Sequence, residues 1–175
     1  MSAVKKIAAK GTVASRDEAR PLTVNAGDTI VVRRGGRQRS LIIRCPCGCG
    51  DDLVVNLDGR TGPAWRLYTR SGKLSLYPSY WRDSGCESHF IIWRNRILWC
   101  GRYDEEKEDS NDPALQTKIF GRINSRDFTD YRALAIELDA IPWDILWCCR
   151  EMVRGGSLEE RSGEDRGWFR RKSGT

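Results

Sequence analysis

The stretch Cys45-Pro46-Cys47-Gly48-Cys49-Gly50, with Cys86-Glu87-Ser88-His89 further along, decides how the chain is read. Three of the seven cysteines fall within five residues, and the one histidine stands three beyond a fourth. On a regular strand, residues two apart sit about 6.6 Å from each other. Two sulfurs on one tetrahedral zinc, with bonds of about 2.3 Å, lie only about 3.8 Å apart. An extended strand therefore cannot bring all three thiolates to one ion. The chain has to curl there, and Pro46, with its fixed φ, and Gly48 and Gly50, with their open φ, suit the curl. The spacing points to a metal knuckle completed from residues 86–89, against the alternative of free thiols buried in a core.

Two donor sets satisfy this spacing. Cys45, Cys47, Cys49 and Cys86 together make a closed, structural site of four thiolates, for which zinc is the default ion. The rival set takes in His89, because Cys86-x-x-His89 is also a knuckle spacing. The choice decides what the histidine does. With four thiolates on the metal, His89 is the one imidazole able to act as a base near neutral pH. Ser79, Ser84 and Ser88 all lie near it in sequence. Ser88 would face the other side of a strand from its neighbour His89. Ser79 follows a proline at an expected strand end, a rigid and exposed place to present a nucleophile. Asp83 or Glu87 would orient the imidazole.

The segments around these residues read as strands. Thr29 to Arg33 and Ser40 to Arg44 are β-branched runs flanking Gly35-Gly36, a hairpin with a slightly long loop and a tip bearing Arg33, Arg34, Arg37 and Arg39. Asp52 to Leu57 is a third strand. Trp65 to Thr69 and Lys73 to Tyr77 form a second hairpin, ended by Pro78, which cannot donate to a ladder. Residues 79–85 follow as a loop, and His89 to Arg94 pairs with Arg96 to Cys100 around Asn95. That is about seven strands and no helix. The expected fold class is α+β, mainly antiparallel β: a small zinc-stapled β core with a C-terminal helical appendage.

Composition changes after Cys100. The expected organisation is a flexible basic leader over 1–21, the zinc-containing β core over 22–101, an acidic linker over 102–113, a helical segment over 114–156 packed on the core, and a mobile tail over 157–175. Thr129 is a plausible N-cap for one helix and Pro142 begins another, carrying Cys148 and Cys149 as core thiols. Leu115 to Ile123 is ambiguous. With 39% hydrophobic and 31% charged residues the chain is globular. Its net charge of +6 permits an acidic partner without requiring one. No run approaches membrane-spanning length, and the first ten residues are too weakly apolar for a signal peptide. An odd cysteine count and a clustered thiolate site point to the cytoplasm.

Taken in order, Gly27-Asp28, Arg34-Gly35, Cys45 to Gly50, Leu76-x-Pro78-Ser79, Gly85-Cys86-x-Ser88-His89-Phe90 and Ile97-x-Trp99 resemble a bacterial family, BubE, described as the serine-peptidase component of ubiquitination-like (Bub) operons. The resemblance covers about residues 22–100 and nothing from 113 onward. It implies a zinc-containing serine peptidase that trims a ubiquitin-like protein or removes it from its conjugates. On that resemblance Cys45, Cys47, Cys49 and Cys86 are metal ligands. Ser79 and His89 fall where the family pattern offers a serine and a histidine, as nucleophile and base. The partner would be a ubiquitin-like protein and its conjugates, met by a monomer away from any membrane. The competing reading is a non-catalytic zinc module whose arginine-rich hairpin tip holds nucleic acid or an acidic protein. Thiol chemistry at Cys100 is a third and weaker reading.

Overall fold

Alternating β-branched and aromatic residues build two sheets in the first hundred residues of the computed structural model, which describes residues 3–100 and 112–172. In chain order the elements are β1 (Ala8–Val13), α1 (Arg16–Ala19), β2 (Asp28–Arg34), β3 (Arg37–Arg44), β4 (Asp52–Asn56), β5 (Arg66–Arg70), β6 (Lys73–Trp81), β7 (His89–Trp93) and β8 (Arg96–Trp99). One sheet has the order β1-β2-β3-β4 and the other β5-β6-β7-β8. Every pairing is antiparallel except that of β1 with β2. The seven strands expected from the sequence are β2 to β8, and the fold is the α+β, mainly antiparallel one.

The sheets close face to face on one apolar core. Val31, Leu41, Ile43, Leu53 and Val55 come from the first sheet, and Leu76, Phe90, Ile92 and Ile97 from the second. The far face of the first sheet buries Ile30, Val32 and Ile42 under Ala19 of α1. This explains why β2 reads as a continuous apolar run, since it is covered on both sides. Its hairpin with β3 is tighter than expected. Arg34 pairs directly with Arg37 across Gly35-Gly36, both at positive φ, the two-residue turn that matches strand twist.

The N-terminal segment is built in, where the sequence suggested a loose leader. Ala8 to Val13 form β1, Ile7 is buried, and the Val4 N–H donates to the Pro46 carbonyl at 2.9 Å. The Ile97 N–H donates to the Lys5 carbonyl at 2.9 Å, so residues 4–8 run from the edge of one sheet to the edge of the other. Pro78 does not end its strand either. β6 continues to Trp81 through an irregularity between Leu76 and Tyr80, where the missing N–H need not enter the ladder.

The chain divides into two compact units, Met1–Glu106 and Lys107–Thr175. The acidic linker expected over 102–113 lies, up to residue 111, outside the described residues. The second unit runs α2 (Pro113–Arg122), β9 (Thr129–Asp130), α3 (Tyr131–Glu137), α4 (Pro142–Arg154), β10 (Leu158–Glu160) and β11 (Trp168–Arg171). Its sheet has the order β10-β11-β9, all antiparallel. Helix, strand, two helices across a short turn, then a hairpin whose last strand lies in the middle is the arrangement of a winged helix-turn-helix. Residues 158–171, expected to be mobile, make that hairpin, and Phe169 is fully buried. The cap of α3 is Asp130, whose carboxylate accepts from the Arg132 N–H, and not Thr129. The ambiguous segment 115–123 is helical, capped by Asp112. Among the described residues no helix is long and apolar enough to cross a membrane.

Phe90 lies at the centre of the sandwich, so Phe90→Ala should lower unfolding free energy by about 3–5 kcal/mol. Val24→Ala, at an exposed site, should change it by no more than about 0.5 kcal/mol. Urea unfolding monitored by circular dichroism distinguishes the two, and equal effects would contradict the placement of the core.

Candidate functional site

Two clusters sit at the β6–β7 end of the second sheet, and they share the loop between these strands. The first is the thiol cluster. After β3 the chain turns back on itself: the Gly48 N–H donates to the Cys45 carbonyl at 3.1 Å, and the Cys45 N–H to the Asp51 carbonyl at 2.8 Å. Gly48 and Gly50 adopt φ of 85° and 87°, the left-handed conformation the curl required. Cys86 enters from the β6–β7 loop. The sulfurs of Cys45, Cys47, Cys49 and Cys86 all lie within 4.8 Å of one another. Cys45 Sγ is 3.3 Å from Cys47 Sγ and 3.7 Å from Cys86 Sγ, close to the spacing expected around a tetrahedral ion. This donor set can hold a metal ion.

The surroundings of the sulfurs favour their charged forms unevenly. Burial pushes the Cys45 thiol up. Partial burial also opposes ionisation of Cys86, but hydrogen bonds from the Ser88 hydroxyl and N–H and from the Cys47 and Cys45 thiols outweigh it and bring Cys86 down to about 6. Ser88 Oγ lies 3.2 Å from Cys86 Sγ and 3.6 Å from Cys45 Sγ. Arg82 adds a cation: its Nη1 donates to Asp51 Oδ2 at 2.6 Å and sits 3.7 Å from Cys86 Sγ and 3.9 Å from Cys49 Sγ. Donors so placed would offset the negative charge that four thiolates on a metal concentrate. Sequence spacing did not single out Arg82 or Asp51. Asp51 follows Cys49 by two residues, a signal that was legible, whereas Arg82 joins them only through the fold.

The second cluster is Ser79 with His89. The structure places His89 Nε2 3.2 Å from Ser79 Oγ, and His89 is not among the residues gathered at the sulfurs. Trp81 lies directly opposite His89 in the ladder, so Ser79, two positions earlier, is its diagonal neighbour on the same face. The irregularity at Tyr77–Ser79 leaves the Ser79 carbonyl to the Trp65 indole N–H, which donates to it at 3.2 Å. The Trp81 indole stacks beside the imidazole, with centroids 6.1 Å apart. Tyr80 points the other way and packs in the core against Phe90 at 5.6 Å. Ser88 faces the sulfurs and Ser84 is exposed. Among the described residues, neither Asp83 nor Glu87 hydrogen-bonds the imidazole.

The loop that joins the clusters closes at its base where the Arg82 N–H donates to the Ser88 carbonyl at 2.9 Å. Ser79 and His89 therefore stand on the two strands whose connection carries Cys86.

Purified protein should hold one metal ion per chain, read by elemental analysis. Cys45→Ser should release it and cost more than about 4 kcal/mol of stability, as loss of a structural metal does. Arg82→Gln should keep the fold but weaken metal affinity about tenfold or more in a competition titration. Metal-free protein of unchanged stability would contradict the site.

No curated protein and no solved structure matches the chain. Residues 16–100, which span both clusters, match the model of the BubE family, described as the bacterial ubiquitination-like system serine protease.

Proposed function

We propose that the protein is a serine peptidase that cleaves a ubiquitin-like protein at its C-terminal end, or frees it from conjugates, acting as a cytoplasmic monomer with a structural zinc. The observation that carries this is the 3.2 Å contact between Ser79 Oγ and His89 Nε2 on adjacent strands, apart from the four sulfurs. The family match supplies the reaction class and the ubiquitination-like setting.

In this reading His89, protonated on Nδ1, takes the Ser79 proton on Nε2 as Oγ attacks the carbonyl carbon of the scissile bond. The C–N bond then breaks, and the same proton passes to the leaving amine. A water, deprotonated by the imidazole, hydrolyses the acyl-enzyme and restores Ser79. No acidic third member is invoked, and the ring is hydrogen-bonded through Nε2 to Ser79 Oγ, with the Trp81 indole beside it. Zinc on Cys45, Cys47, Cys49 and Cys86 would fill a closed site and supply only the fixed geometry of the β6–β7 loop.

A second reading, as a binding module, is favoured by one observation. Arg33, Arg34 and Arg37 at the β2–β3 tip are exposed and have no ion pair among the described residues, whereas Arg39 is bonded to Asp58. The second unit adds nothing to a nucleic-acid role. The recognition-helix position is α4, whose Trp143, Asp144 and Leu146 are buried, and acidic and basic side chains are equal in number over 112–172.

Ser79→Ala and His89→Ala should each abolish cleavage of a ubiquitin-like fusion, by about a thousandfold or more, with metal content and melting temperature near wild type. Ser84→Ala should cleave normally. Loss of metal in His89→Ala would make the histidine a ligand, and full activity in Ser79→Ala would remove the mechanism.

A further inference from the structure

Trp81 is 67% exposed, an unusual position for an indole in a small β-sandwich. It does not serve the core, because the side chains of β6 and β7 that close the sandwich are Leu76, Tyr80, Phe90 and Ile92, on the opposite face. Nor is it a stray surface residue. It pairs with His89 across the ladder and touches the imidazole at 6.1 Å between centroids, tilted by 37°. Ser79 completes the row, so nucleophile, base and indole lie side by side on one sheet face. Contact with His89 uses only part of the indole. The remainder is apolar surface presented to solvent beside the oxygen that would attack. Large exposed apolar groups mark contact sites when they adjoin a functional group.

We infer that Trp81 is the substrate-gripping residue of the Ser79–His89 site, and that it binds an extended, unstructured polypeptide segment leading to the scissile carbonyl. The inference rests on the peptidase reading and narrows its substrate to a chain end or linker laid flat over the indole. An aromatic face meets peptide planes and backbone CH groups with little dependence on side chains. Tryptophans so placed dominate recognition, and their truncation commonly weakens binding tenfold or more. A small electrophile with no peptide portion makes no such contact, which separates gripping from chemistry.

The experiment uses the full chain loaded with metal, in wild type, Trp81→Ala and Trp81→Phe. A fluorophosphonate probe reports the reactivity of Ser79. A coumarin amide of the C-terminal peptide of the system's ubiquitin-like protein reports KM and kcat. The fluorophosphonate should label all three proteins at the same rate. For the peptide amide, Trp81→Ala should raise KM about tenfold with kcat within about threefold, and Trp81→Phe should recover most of the loss. Unchanged KM in Trp81→Ala overturns the inference. So does a labelling rate that falls in step with peptide cleavage, because the indole would then only hold the imidazole. Wild-type protein that the probe does not label at Ser79 removes the peptidase reading itself, and this inference with it.

Discussion

Four sulfurs, from Cys45, Cys47, Cys49 and Cys86, hold the end of β3 against the loop that joins β6 to β7. That contact ties the two sheets together at one end of the sandwich. It also sets the path of residues 82–88, which fixes how β6 and β7 pair beyond the irregularity at Pro78. The 3.2 Å contact between Ser79 and His89 is made across that pairing. A metal at the sulfurs would therefore act on the candidate chemistry at a distance, by holding the strand ends in register. Arg82 and Ser88 belong to the same arrangement. They surround the sulfurs with hydrogen-bond donors from the same loop.

The clustering of the cysteines was legible in the sequence because their close spacing is a local property, and the glycines between them agree with the curl it demands. Strands β2 to β8 were legible for a similar reason, as β-branched and aromatic runs separated by turn residues. What escaped the sequence depends on distant partners. Val4 and Ile7 look like an unremarkable leader until the Pro46 carbonyl in the cysteine turn and the Asn95 carbonyl in the β7–β8 turn accept from their backbone N–H groups. Strand β9 is two residues long and exists only because Trp168 and Phe169 pair with it from nearly forty positions away. Pro78 misled for a physical reason: a missing donor ends a regular ladder but is tolerated at an irregularity, and there it marks the nucleophile candidate.

The second unit poses a different question. Its elements follow a winged helix-turn-helix, a form common among DNA-binding proteins, yet the helix in the reading position buries Trp143, Asp144, Ile145 and Leu146 along its first turns. Fold alone does not carry function here, and side chains buried along that helix are not free to read a groove. The excess positive charge of the chain lies elsewhere, including the guanidinia at the β2–β3 tip.

The central claim is that thiolates alone hold the metal, leaving the one imidazole to Ser79. Because the chain has a single histidine, cadmium NMR of the metal-substituted protein tests it without ambiguity. The account predicts through-bond couplings from cadmium to the β-protons of Cys45, Cys47, Cys49 and Cys86, and none to the imidazole protons of His89. A coupling to the imidazole, with one cysteine lacking its own, would contradict it.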